Sequence, residues 1–176
     1  MNTGIYYDHL EARPDDRGRL IEMYRQSVAQ RHGYGDKIKQ VYMTTTKPGV
    51  VKGWHRHKKQ VDNVICIKGE IKLVLYDPED DMNLNDLNRG VFEFCMGEHH
   101  MMTVRIPPGV WHGWKCISNY DAIIVNCVTE EYDRSDPDEE RRDPHCAIIK
   151  VKKPSRWPHL QTFITTEPYD WSTKDR

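Results

Sequence analysis

An all-β architecture, a sandwich or barrel of short antiparallel strands, is predicted by three observations. Short segments rich in Val, Ile, Thr and Tyr recur along most of the chain. Turns built on Gly and Pro, such as Lys47-Pro48-Gly49 and Pro107-Pro108-Gly109, separate them at near-regular intervals. Hardly any stretch shows the 3.6-residue period of an amphipathic helix, and this combination marks sandwiches and barrels.

Residues 13–18 form a polar loop ahead of a first strand at 19–24, and the Gly-rich run 32–36 is a turn. Residues 38–46 alternate and are rich in β-formers. After the turn at Gly49 comes a segment holding His55 and His57, then strands at 63–68 and 70–77 separated by Gly69. In the second of these Ile71, Leu73 and Leu75 share one face, with Lys72, Val74 and Tyr76 on the other, the pattern of a half-buried strand with Val64, Cys66, Leu73 and Leu75 in the core. Residues 77–90 are polar and acidic and read as a surface loop with at most a short helical turn. Four further strands are expected at 91–96, 101–106, 110–116 and 121–128, and the charge-dense run 130–142 reads as a solvated loop. No repeat or linker divides the chain, so one domain spanning 1–176 is expected, with a strand-and-turn arm at 1–37, a barrel core at 38–128 and a carboxy-terminal extension at 129–176.

The net charge of -1, with 30% charged residues, gives no electrostatic footprint for a nucleic acid or an anionic bilayer. No apolar run approaches the roughly 18 residues of a membrane span. The first eight residues have neither a basic start nor an apolar core, so a cytoplasmic location is expected. The five cysteines are odd in number and have no C-x-x-C spacing, which reads as reduced thiols, mostly buried.

The chemistry concentrates after Gly49. Five residues separate it from His55, one separates His55 from His57, four lead on to Asp62 and six more to Gly69. On a strand, side chains two apart share a face, so His55 and His57 are expected side by side, about 7 Å apart along the chain. Further on, Pro107-Pro108-Gly109-Val110-Trp111-His112 supplies a third histidine.

These two stretches resemble the two sequence motifs of the cupin barrels, with Asp62 where the first motif usually has Glu. The resemblance implies a double-stranded β-helix whose mouth is a ligand pocket. Within the cupins the chain resembles the dTDP-4-dehydrorhamnose 3,5-epimerase family: Asp16-Arg17-Gly18 with Glu22, Gln40, Lys52-Gly53-Trp54-His55, Gly69-Glu70, Ile106-Pro107-Pro108-Gly109 with His112-Gly113, and Tyr169-Asp170-Trp171. It implies a metal-free homodimer acting on a nucleotide-activated 4-keto-6-deoxyhexose. Arg17, Glu22, Gln40 and Lys52 would then lie along the substrate, with Gln60, His112 and Trp114 lining the pocket, and His55 would be the base, with His57 and Asp62 beside it. Lys52 stands where the family usually has Arg, which keeps the charge and loses the bidentate fork.

The chain departs from the family where a proton must be returned. Val125 aligns with the family's donor Tyr, Asp62 with the lysine that steadies the enolate, and Asp175 is the only carboxylate near the position of the one that orients the base. Tyr120, Tyr132 and Cys127 are the replacement donors at hand. His55-x-His57-Lys58-Lys59 and Trp111-His112 also resemble the sugar 3,4-ketoisomerases, in which two histidines of one strand would shuttle a proton on one face. A third reading is a metal cupin, with His55, His57, His112 and Asp62 or Gln60 holding a divalent transition metal, and a fourth is a non-catalytic sugar-binding module.

Overall fold

The computed structural model of the chain describes residues 4–78, 90–153 and 163–172. Two five-stranded antiparallel sheets carry the fold. One contains β1 (Tyr6–His9), β4 (Gln40–Thr46), β6 (Asp62–Lys68), β9 (Met102–Ile106) and β11 (Ala122–Val128), in the order β1-β9-β6-β11-β4. The other contains β5 (Val51–Arg56), β7 (Glu70–Tyr76), β8 (Val91–Gly97), β10 (Trp111–Cys116) and β12 (Glu140–Arg141), in the order β12-β5-β10-β7-β8. Two hairpins stand outside the sheets, β2 (Ala12–Asp15) with β3 (Gly18–Ile21), and β13 (Ala147–Lys153) with β14 (Phe163–Pro168). The one helix among the described residues, α1, is the single short stretch Gln26–Arg31, and none is long and apolar enough to cross a membrane. This is the all-β cupin barrel that the resemblance implies.

The sheets pack face to face. Val64, Val104 and Ile124 from the first meet Leu73, Leu75 and Trp114 from the second in one buried cluster, all removed from water, which is the main stabilising term. A second cluster lies outside the second sheet, where Trp54, Val74, Tyr76 and Trp111 pack beneath Ile148, Ile149 and Trp171 of the carboxy-terminal segment. This corrects the half-buried reading of 70–77: both faces of β7 are buried, because the carboxy-terminal segment covers the outer one. Lys72 itself is buried at 6% exposure, its Nζ donating to the Ser172 carbonyl at 2.7 Å. The acidic run 79–89, residues 154–162 and Asp175 lie outside the described residues.

The run 130–142 is also more than a solvated loop. Its end forms β12, which pairs with β5 at Glu140↔Arg56 and Arg141↔His55. Ahead of it, the Asp138 carboxylate accepts the backbone N–H groups of Lys58, Lys59 and Gln60 at 2.9 to 3.0 Å. That fixes the chain between His57 and Asp62, a segment with no ladder of its own. Of the five free thiols, Cys66, Cys116 and Cys127 are buried, Cys146 is partly covered and Cys95 is exposed.

Candidate active site

Strand parity decides which side chains enter the barrel. Asp62, Val64 and Cys66 alternate with Asn63 and Ile65 on β6, and Val64 and Cys66 belong to the inner cluster, so Asp62 is inward too. In an antiparallel pair directly opposed residues share a face. Asn126 opposes Val64 and Tyr42 opposes Asn126, which puts both on the inner wall. Val125 opposes Ile65 and packs with it and Cys127 on the outer face under Tyr24 and Leu10. Neither Val125 nor Cys127 therefore faces the histidines.

On the opposite wall, strict alternation would send Lys52 and His55, three residues apart, to opposite faces. A β-bulge removes the conflict. His112 pairs with His55 and Gly113 with Gly53, so Trp54 is an extra residue on β5. Its backbone bonds to Arg142 instead (N to O 2.8 Å, O to N 2.9 Å), and its indole goes to the outer cluster. Lys52 then opposes Trp114, His55 opposes His112, and all four share the inner face. The strands come close enough only because both crossing residues lack a side chain: a Cβ on Gly113 would meet Gly53 Cα and Lys52 O at 2.9 Å. At the end of this wall Gly109, at φ +87°, makes the turn into β10 and donates its N–H to the His57 carbonyl at 2.8 Å.

The three histidines meet as expected: the His112 ring centroid lies 5.8 Å from that of His55 and 5.8 Å from that of His57. His57 and His112 then converge on one carboxylate oxygen, Asp62 Oδ2, at 3.5 and 3.2 Å from their Nε2 atoms. The other oxygen, Oδ1, accepts from Gln60 Nε2 at 2.7 Å and Asn126 Nδ2 at 3.0 Å. His112 donates Nδ1–H to the Val110 carbonyl at 3.2 Å and His57 donates Nδ1–H to the Asp138 carbonyl. With the Nδ1 protons committed to carbonyls, the Nε2 atoms are the ones turned toward Asp62, and each contact is an ion pair only when its ring carries a second proton. Burial alone would push the Asp62 carboxyl up; the His112 hydrogen bond, the charges of His112 and His57 and the Asn126 hydrogen bond outweigh it and hold the group below its ordinary value.

Among the described residues no carboxylate pairs with His55. Burial first, and the positive charge of His112 next, lower its pKa to about 4, with Arg141 and His57 adding to the effect and Glu139 opposing it. At neutral pH it is a neutral imidazole with a free lone pair, the form a general base needs. Lys52, its pKa lowered by burial, donates to Thr44 Oγ1 at 2.7 Å and to the Thr45 carbonyl at 2.6 Å. Trp114 donates its indole N–H to Thr46 Oγ1 at 2.9 Å and packs as core.

A cavity of about 470 Å³ opens beside His57, with Gln40, Tyr42, Gln60 and Arg141 also on its wall and Tyr132, 61% exposed, at its rim; of the three histidines His57 is the one that lines it. Three of the four metal-ligand candidates, His57, Asp62 and His112, bring one ligand atom each within 4.8 Å of one another and could hold a cation; His55 is not in that group. Arg17 and Glu22 are not brought to the site. Arg17, on the exposed β2–β3 hairpin, bonds Asp15, and Glu22 pairs with Arg25 beside a separate cavity of about 320 Å³ that also borders Asn63, on the face of β6 opposite Asp62. Tyr120 pairs with Glu98. Sequence reasoning missed Tyr42, Asn126 and Asp138. The register of β4 against β11 is what would have found the first two.

The sequence profile of the family described as dTDP-4-dehydrorhamnose 3,5-epimerase matches residues 3–175. The chain belongs to that family. Its members are isomerases of nucleotide-sugar chemistry, and this chain is an enzyme of that class. It is 38% identical over 134 residues to the probable low-salt glycan biosynthesis epimerase Agl13 of Haloferax volcanii, covering 75% of this chain and 81% of that protein. It is 31% identical over 142 residues to the spore coat polysaccharide biosynthesis protein SpsL of Bacillus subtilis, covering 80% and 89%. In three dimensions it is similar to the dTDP sugar isomerase of Desulfovibrio desulfuricans G20, with a TM-score of 0.68 at 23% identity over 80% of this chain and 84% of that one.

Proposed function

We propose that the enzyme epimerises a nucleotide-activated 4-keto-6-deoxyhexose at C3, C5 or both, with His55 as the base and no metal taking part. The observation that carries this reading is the division of labour among the histidines: His112 is held against the Asp62 carboxylate, and His55 beside it is kept neutral by burial and its neighbours. A neutral imidazole can take the proton from a carbon next to the 4-keto group. The resulting enolate needs a cation or a hydrogen-bond donor, and with the family's lysine position occupied by Asp62, Lys52 and the His112 ring are the groups on the same wall. Gln40 and Gln60 complete the pocket, with Trp114 packed behind it, and the nucleotide end is read by Arg17 and Glu22. Those two residues lie away from the histidines within one chain, so the reading calls for a homodimer in which the hairpin of one copy reaches the pocket of the other. The open edge strand β4, with Val41 59% and Met43 64% exposed, supports such a contact. A cytoplasmic location goes with a nucleotide-activated substrate.

The test is NMR of the product formed from a nucleotide-linked 4-keto-6-deoxyhexose. An inverted C3 or C5 centre with the ketone still at C4 is the expected result. A ketone moved to C3 would favour the ketoisomerase reading, which has less support because both ring nitrogens of His57 are already engaged.

A second reading is favoured by one observation, the convergence of His57, Asp62 and His112 with both Nδ1–H groups tied to carbonyls. Metal-binding histidines are oriented in this way. It predicts near-stoichiometric divalent metal in protein purified without chelator, lost in Asp62→Ala. On the metal-free reading, exhaustive chelation leaves activity unchanged.

A further inference from the structure

The geometry points to Tyr42 as the group that returns the proton on the face of the substrate opposite His55. This deepens the epimerase reading and rests on it. Inversion needs an acid on the wall facing the base, and the sequence leaves that place without an assigned residue.

Tyr42 is on β4 of one sheet and His55 on β5 of the other, and the parity argument turns both into the barrel. The two are linked through β12: Arg141 pairs in register with His55, and Arg141 and Glu139 share a cavity wall with Tyr42. Tyr42 forms part of the wall of the 470 Å³ cavity together with Gln40, Gln60 and His57. Its hydroxyl oxygen is also oriented. Asp62 Oδ1 requires a donor, which fixes the Asn126 amide with Nδ2 toward it at 3.0 Å, and the same Nδ2 donates to the Tyr42 oxygen at 2.9 Å. The phenol therefore accepts from Asn126, and among the described residues no acceptor takes its own hydrogen. A phenol whose lone pair is occupied and whose hydrogen is uncommitted at a cavity wall is placed to donate into that cavity. Tyr42 is 41% exposed, and desolvation of its covered side together with the charge of Asp62 pushes its pKa up to about 12, so the phenol is protonated at neutral pH.

The step balances without a redox partner. The C–H bond beside the ketone breaks toward His55 and its electron pair delocalises onto the 4-keto oxygen as an enolate. The enolate carbon then takes the hydrogen of Tyr42 on its other face, forming the new C–H bond and leaving a phenolate. The proton on His55 and the charge on Tyr42 cancel by exchange through solvent, restoring both groups.

Tyr42→Phe separates the two half-reactions. Incubated with the 4-keto sugar in deuterated water, it is expected to exchange the substrate hydrogen through His55 while forming inverted product about 100-fold more slowly than the wild type. Exchange retained in the variant also shows that it is folded. In a second arm 3-fluorotyrosine is placed at position 42, which acidifies the phenol, and the basic limb of the pH profile for inversion should move to lower pH. The inference is overturned if Tyr42→Phe inverts at the wild-type rate, if it loses exchange and inversion together, or if Tyr132→Phe is the variant that stops inversion. Absence of both exchange and inversion in the wild type would instead bring down the epimerase reading and this inference with it.

Discussion

At the scale of single residues, the account depends on His55 being the neutral member of a histidine cluster. Because burial and the His112 charge set its pKa near 4, the proton-accepting form persists well below neutral and is lost as the pH falls through that value. The acid limb of kcat/KM should lie near pH 4 and not near the ordinary imidazole value of about 6.5. His112→Gln removes one of the two main causes, so the limb should move upward. The same shift bears on stability. An unfolded His55 titrates near its ordinary value, so between that pH and about 4 the unfolded chain binds more protons, and stability falls as the pH falls across this window. Thermal denaturation of the wild type and His55→Asn compared over the window checks it, since the variant lacks that part of the pH dependence.

At the scale of elements, the site is made by one bulge and one clasp. Gly113→Ala would bring a Cβ to 2.9 Å of the Gly53 backbone and force β5 and β10 apart. The expected cost is about 1–3 kcal/mol, seen as a lower Tm, with activity falling further because Lys52 and His55 lose their common face. Asp138→Ala frees three backbone N–H groups between His57 and Asp62. Hydrogen bonds to a charged group suggest a loss of about 1–3 kcal/mol, and hydrogen exchange at residues 58–60 should rise sharply. These elements also mark how far the sequence could be read. Strand parity is enough to expect His55 and His57 on one face, whereas the barrel and the approach of His112 came from the resemblance of the Gly49 to Gly69 and Pro107 to His112 stretches to the cupin motifs, since that approach depends on β10 pairing with β5. Tyr42 and Asn126 depend on which strand lies beside which, and Lys52 depends on a bulge that breaks parity at Trp54. The double burial of β7 depends on a cover supplied from the other end of the chain. None of these is a local property.

At the scale of the whole molecule, the reading requires two chains. If Arg17 of one copy serves the pocket of another, Arg17→Ala and His55→Asn homodimers should each be nearly inactive, and subunit exchange between them should restore activity through sites that carry neither change. Restoration by mixing, measured alongside sedimentation to show the dimer, separates a shared site from one built within a single chain. Met43→Lys, which puts a charge on the exposed face of the edge strand β4, should shift the protein toward monomer and lower activity with it.

The most direct test of the central claim is solvent deuterium incorporation, followed by NMR, with a nucleotide-linked 4-keto-6-deoxyhexose. The account predicts deuterium at C3 or C5 with wild-type enzyme, and a loss of at least about 100-fold in His55→Asn. Deuterium entering as fast in His55→Asn as in the wild type would contradict it.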